Sequence, residues 1–443
     1  MLLTSLLLAA CSSGSSDHRA HETTTRERRC AAIHALADFE RTQLETHRIL
    51  RVSDAEVRAT YAKRRALTER LATLVDDREL HRAIDETLRL RAVFEPFLVE
   101  QLRDNHDEMV RVGNAWPLLA IQSDAASDEL RSAFARGRAA PWQGRIRVEC
   151  DAPELAHLPT QDHAGRAEPG TVVYDSLESR PGLLAIPSTG GEPRDVPVPA
   201  GWDDLSHPAV AGDGRTIAAV AGSPQRNGIA VGTLNGGFRV IYVLQPDKAA
   251  DCVEWDRSTG DVLVTVRGRD YRPEHLRIHR DGSSEAVTLG VAHVGCASGL
   301  DDGRLLLDGA TDDVDEFGAV GVAPSTGGFR QVYDPKDCNV LARRVAPDRP
   351  LAAAFQTCAA LRSNGLVLLD LATGRHTQPV TGLVGVPSWS PGGGWLVFGL
   401  APIGTDPVET TRLFLVRPDG SGLRRLTDAP SSFPAWVSDE LAA

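Results

Sequence analysis

The sequence predicts a two-domain chain, an all-α helical bundle followed by an all-β six-bladed propeller. Three observations carry this. The hydrophobic period is helical up to about residue 138 and closer to two after residue 170. Glycine turns then recur in register at Gly191, Gly237, Gly282, Gly328, Gly374 and Gly420, at intervals of 46, 45, 46, 46 and 46. Last, "PSWSPGGGWLVFGL" (387–400) is restated in part as "PAWVSDE" from Pro434. A period in the forties is the mark of a propeller blade.

With 443 residues the chain exceeds one ordinary core. Its net charge is −12, and all of that excess lies after residue 150, because the first 150 residues balance. No basic stripe marks it for nucleic acid, so no nucleic-acid partner is expected.

At the start, "MLLTSLLLAACSSGSS" carries an apolar run from Leu2 to Ala10, too short to span a bilayer as a helix. It suits the apolar region of a signal peptide over residues 1–10. "LAAC" (Leu8–Cys11) resembles a bacterial lipobox. The resemblance implies cleavage before Cys11 and lipidation of its thiol, with residues 11–23 as a tether. Ser12 implies the outer membrane if the cell is Gram-negative. One departure is that no Lys or Arg precedes the apolar run.

Residues 24–138 read as the bundle. "AAIHALADFERTQLETHRIL" places Ile33, Leu36, Ala37, Leu44 and Ile49 at helical spacing. Ser53 and Glu56 form a capping box for the next helix. A third helix spans about Arg78 to Val112, with a kink or break expected at Pro96. A fourth follows Ser123 and ends near Gly137. Residues 139–169, with "AAPWQG" and "HLPTQDHAGRAEPG", read as a linker. Cys30 and Cys150 flank the bundle, and a bridge between them would fasten its first helix to that linker.

Residues 170–443 read as the propeller. A second turn series, out of phase with the first, lies near Gly214, Gly260, Gly303, Arg349, Gly393 and Glu440. Each unit is therefore four antiparallel strands. The last unit holds only the strand "FPAWVS", while the three strands it lacks stand at the front as "TVVYDS", "GLLAIP" and "RDVPVP". The C-terminal strand is expected to pair with residues 171–176 and close the ring, which leaves no free edge. Trp389 and Trp436 are expected to fill the gaps between blades.

"VPSWSPGGGWLVFGL" and "TRLFLVRPDGSGLRRLTDAPSSFPAW" resemble the TolB-type propeller repeat, also called the PD40 or WD40-like repeat. The match is strong in the last two units and weaker but in register in the other four. It implies a six-bladed propeller and, taken with the lipobox resemblance at Cys11, a TolB-like bacterial lipoprotein, although the family's own protein is soluble and periplasmic. The family pairs its propeller with a small α/β domain, whereas a helical domain stands here.

Six cysteines remain after Cys11, an even count that suits disulfides in an exported protein. In the repeat register, Cys338 lies ten residues before Asp348 and Cys358 ten after it, so opposed strands would bring them together. Cys252 and Cys296 hold near-equivalent places in successive first strands, either bridged between blades or as free buried thiols.

The chain carries no Gly-x-Ser-x-Gly elbow, phosphate loop or Cys-x-x-Cys, and no cofactor is expected. His275 and His279 are four apart, which in a strand puts them roughly 13 Å from each other. The densest acidic stretch, "DGATDDVDEFG", supplies Asp308, Asp312, Asp313, Asp315 and Glu316, read as a solvated loop with a weak Ca²⁺ site as the alternative. The functional expectation is a non-catalytic binding platform of the cell envelope, for a protein or glycan, held by Cys11. The alternative is a propeller hydrolase such as a Ca²⁺-dependent lactonase, which needs convergent carboxylates at the channel centre.

Overall fold

The computed structural model describes residues 25–40, 54–104, 141–159, 166–178, 182–268, 273–289, 295–308, 319–324, 328–335, 338–358 and 360–438. The chain divides into two compact units, Met1–Pro153 and Glu154–Ala443.

The first unit is helical. It contains α1 (residues 25–40), α2 (Asp54–Ala72), α3 (Arg78–Asp104) and α4 (Pro141–Asp151). Ile33 and Leu36 of α1, Leu71 of α2, Ile84 of α3 and Ile146 of α4 share one core. Asp77 caps α3 by accepting from the Glu79 and Leu80 amides, both at 2.9 Å. The helix runs on through Pro96. Ser53, residues 41–53 and the helix expected after Ser123 lie outside the described residues.

Residues 141–151, expected as linker, form a helix instead. Pro141 occupies its first position, where a missing N–H costs nothing. Trp142 and Ile146, four apart, point into the core, and Trp142 Nε1 donates to Thr87 Oγ1 at 3.0 Å. A disulfide joins Cys30 of α1 to Cys150 of α4. The bond thus fastens helix to helix.

The second unit is the six-bladed propeller. Blade 1 is β25 (Ser431–Val437), β1 (Thr171–Ser176), β2 (Leu183–Pro187) and β3 (Arg194–Asp195), in that order across the sheet. Blade 2 is β4 (Asp204–Val210), β5 (Ile217–Ser223), β6 (Arg226–Thr233) and β7 (Gly237–Val243). Blade 3 is β8 (Ala249–Asp256), β9 (Asp261–Arg267), β10 (Pro273–Ile278) and β11 (Ser284–Ala286). Blade 4 is β12 (Ala297–Gly299), β13 (Arg304–Leu307), β14 (Val320–Pro324) and β15 (Arg330–Tyr333). Blade 5 is β16 (Cys338–Val345), β17 (Leu351–Cys358), β18 (Gly365–Asp370) and β19 (His376–Thr381). Blade 6 has its inner strand in two pieces, β20 (Leu383–Val384) and β21 (Ser388–Trp389), then β22 (Leu396–Ala401), β23 (Arg412–Val416) and β24 (Arg424–Arg425).

The ring closes as the repeats require. β25 pairs antiparallel with β1, with Thr171 opposite Val437 and Val173 opposite Ala435. The inner strands follow one another around the axis, β25 beside β4, then β8, β12, β16, β21 and back to β25. The six in-register glycines all have positive φ. At Gly393 (φ 71°) the positive φ strains any other residue, and a Cβ there would also make the Asp348 carboxylate, 2.7 Å away, shift.

The core lies between blades, because each sheet is covered on both faces by its neighbours. Trp389 packs among residues of blades 5 and 6, and Trp436 among residues of blades 6 and 1. Trp255 does the same between blades 2 and 3. Trp255 Nε1 donates to Ala209 O at 3.0 Å and Trp389 Nε1 to Arg344 O at 3.1 Å, so each ring also fixes the preceding inner strand.

Two disulfides reinforce the wheel. Cys252–Cys296 joins the start of blade 3 to blade 4, and Cys338–Cys358 joins directly opposed residues of β16 and β17. The second closes a separation of 20 residues. Removing it with Cys338→Ala and Cys358→Ala is expected to cost roughly 3 kcal/mol. Thermal unfolding monitored by circular dichroism checks this, with a Tm lower by roughly 6–12 °C expected.

Candidate functional site

The inner strands do more than line the axis. Among the described residues four of them break register by one residue: β4 between Ser206 and Ala209, β16 between Ala342 and Arg344 and β25 opposite Val173 and Asp175 at similar heights, and β8 nearer its start, between Ala250 and Cys252. A bulge frees one residue from the ladder and re-aims its side chain. The residues at these points are His207 with Pro208, Asp251, Arg343, and Phe433 with Pro434.

His207 and Phe433 are, among the described residues, the two non-glycines with positive φ, at 52° and 45°. Each precedes a proline, which disfavours the right-handed helical region. Holding each there costs on the order of 1–3 kcal/mol. Their rings meet across adjacent blades with centroids 4.2 Å apart.

Arg344 is the central tie. Its Nη1 donates to Pro434 O at 2.7 Å and its Nη2 to Pro208 O at 2.6 Å. Its Nε lies 3.5 Å from Glu254 Oε1. One guanidinium on blade 5 thus reaches blades 1, 2 and 3. Glu254 is buried, and burial raises its pKa against the pull of Arg344 and Arg343.

Arg343 turns the other way at the bulge, toward Asp308, with Nε 3.4 Å from Oδ2. Asp308 is fully buried and also accepts from the Cys296 amide. Burial pushes its pKa up to about 6, with Arg343 opposing. The expected solvated loop is therefore corrected at this residue: Asp308 is an internal ion-pair partner, because it follows β13 directly and sits beneath the Cys296 backbone. Asp312, Asp313, Asp315 and Glu316 lie outside the described residues, as does Cys11.

Asp175 completes the hub. Its carboxyl accepts from the His207 amide at 2.9 and 3.1 Å, and its Oδ2 lies 3.8 Å from His207 Nδ1. Burial, with Asp204 adding repulsion, pushes Asp175 up to about 8. Burial and then the Arg343 charge push His207 down to about 4. Both side chains are therefore mainly neutral at pH 7. The signs differ: Asp175 contributes stability that is full at acid pH and is lost as pH rises from about 4 through about 8. His207 contributes stability that is present above about 6.5 and lost as pH falls through about 4. Asp175→Asn keeps an acceptor for the His207 amide and cannot ionise. The variant is expected to melt close to the wild type at pH 4 and several degrees above it at pH 9. A difference in Tm that does not change with pH contradicts this reading.

Between the inner strands lies a cavity of about 100 Å³, lined in part by Glu254, Arg257, Ser298, Arg343, Arg344 and Ser388. Drug-sized ligand clefts run to roughly 300–1,000 Å³, so this one suits a single small group. Among the described residues no set of three His, Cys, Asp or Glu side chains is placed to hold one metal ion. His275 accepts or donates at Thr265 Oγ1 (3.0 Å), while His279 sits 3.2 Å from Asp261, so the two belong to separate surroundings.

Sequence reading missed Arg343, Arg344, Glu254, Asp175 and His207. A signal exists for two of them. Glu254 and Arg344 stand one residue before the tryptophan-equivalent position of their repeats, where the other repeats carry Ala209, Ser298, Ser388 and Ala435.

No family model matches the sequence, and no curated protein matches it. Solved structures do. TolB from Acinetobacter baumannii aligns with 68% of this chain and 73% of its own, at 17% identity and a TM-score of 0.48. An oligogalacturonate lyase in complex with manganese aligns with 60% of this chain and 82% of its own, at 11% identity and a TM-score of 0.40. A puromycin hydrolase aligns with 53% of this chain and 43% of its own, at 15% identity and a TM-score of 0.34.

Proposed function

We propose that this chain, whose second unit is a six-bladed propeller with TolB-like repeats, is a non-catalytic lipoprotein of the bacterial cell envelope. Its propeller presents a binding platform to an envelope protein or glycan, and Cys11 anchors it. The observation that carries the reading is the state of the hub carboxylates: Glu254 is held against Arg344 and Asp308 against Arg343. Carboxylates committed in this way brace the ring, whereas the Ca²⁺-dependent hydrolase reading needs them turned together toward one ion. Among the described residues, no helix is long and apolar enough to cross a membrane, so the lipid on Cys11 supplies the attachment in this account.

The test is fractionation and affinity capture from bacterial membranes with the full chain and with Cys11→Ala. The wild type should sediment with membranes, carry the mass of a diacylglyceryl and acyl group at Cys11, and bring down an envelope component. Cys11→Ala should carry no lipid and should retain residues 1–10. A wild type without lipid overturns the anchor, and hydrolysis of a lactone that stops on chelation overturns the non-catalytic reading.

A further inference from the structure

We propose that the propeller hub holds a small oxyanion, a phosphate or carboxylate group, between Arg343, Arg257 and Ser298. The argument starts from unused donors. Ser298 is 7% exposed, and its Oγ is buried with no hydrogen-bond partner. A buried hydroxyl without a partner is costly, so an occupant that accepts from it is favoured. Ser298 lines the same cavity as three guanidinium groups and one carboxylate, those of Arg257, Arg343, Arg344 and Glu254.

The three arginines are not equivalent. Arg344 donates from both η nitrogens, to Pro434 O and Pro208 O, and its Nε faces Glu254 at 3.5 Å as an ion pair, so it braces the cavity wall. Arg343 has one hydrogen-bond partner among the described residues, Asp308, and that bond uses Nε. Its two η nitrogens make no hydrogen bond to the described residues, and the side chain lines the cavity. Arg257 donates at 3.3–3.4 Å to the carbonyls of Val345, Ala346 and Pro347, and its Nε has no hydrogen-bond partner, though Asp301 lies 3.1 Å away as an ion pair. Asp301 is 69% exposed, so water screens that pairing.

Paired N–H donors on a planar guanidinium match the two oxygens of a carboxylate or phosphate. Size agrees. A cavity near 150 Å³ admits a benzene-sized molecule, so about 100 Å³ takes an oxyanion headgroup and excludes a larger ligand. The bulge in β16 frees Arg343 from the ladder, and Arg343 and Arg344 line the cavity from consecutive positions. This inference stands apart from the membrane anchor.

The experiment is isothermal titration of the full, disulfide-bonded chain with sodium phosphate and with sodium acetate, at ionic strength held constant with sodium chloride. One saturable site is expected for at least one of the two anions. Ser298→Ala, which removes a hydroxyl that has no partner in the protein, should weaken it roughly 5- to 10-fold. Arg343→Gln with Asp308→Asn removes both charges together, so neither is left buried alone, and should weaken it by more than roughly 30-fold. Bound phosphate displaced by a short peptide with a free C-terminal carboxylate, but not by its amide, assigns the oxyanion to a chain end. Displacement by neither peptide assigns it to a free anion, and both results support the site. Absence of saturable heat with either anion, or unchanged affinity in Ser298→Ala, overturns it, and Ser298→Ala decides alone if the double variant does not fold.

Discussion

Arg344→Met is expected to destabilise the propeller by about 3–5 kcal/mol, the cost of removing one partner from a buried ion pair. The substitution leaves Glu254 buried without its guanidinium and deprives the Pro208 and Pro434 carbonyls of their donor. Among the described residues it also cuts the one side chain that by itself links blade 5 to blades 1, 2 and 3. Arg344→Lys should restore little, since an ammonium lacks the fork that serves two carbonyls and a carboxylate together. Adding Glu254→Gln to Arg344→Met should recover more than about 1 kcal/mol, because the uncompensated charge is then gone. Urea unfolding checks all three variants. A loss below about 0.5 kcal/mol for Arg344→Met contradicts the role of this residue as the central tie.

A chain ending at Pro430 is expected to lose the cooperative unfolding of the propeller and to self-associate. The deletion strips β25 from β1 and leaves an unpaired edge along Thr171–Ser176. It also empties the space of Trp436, which is 1% exposed between blades 6 and 1. Loss of a buried tryptophan alone costs roughly 3–5 kcal/mol. The junction tolerates little change elsewhere: a Cβ on Gly170 (φ 142°) would come 2.4 Å from Val437 O. Size-exclusion chromatography and differential scanning calorimetry read the outcome. A monomer that melts as sharply as the full chain would contradict it.

The propeller was readable because its punctuation is covalent and periodic. Glycines that must adopt positive φ recur every 45 or 46 residues, and a truncated last repeat implies its missing strands at the front. Cys338 and Cys358 were readable for the same reason, since equal distance from the Asp348 turn puts them in register. The helix Pro141–Asp151 was not. Pro141 and Gly144 look like breakers in isolation, and only the burial of Trp142 and Ile146 and the bond from Cys30 to Cys150 make the segment helical. The hub was not readable either. A strict period of two has no place for a bulge, and the bulges at His207, Asp251, Arg343 and Phe433 decide what faces the axis. Asp308 looked like the first residue of an acidic loop because composition carries no information about burial.

Ring closure by the C-terminal strand is tested most directly by a cross-link across its register. Val173 and Ala435 face each other in the β1–β25 pair, and both are fully buried. Val173→Cys with Ala435→Cys, oxidised and mapped by non-reducing peptide mass spectrometry, should give a disulfide joining positions 173 and 435 within a single chain. Free thiols at both positions in a folded monomer, or a bond that forms between chains alone, would contradict the closed six-bladed wheel.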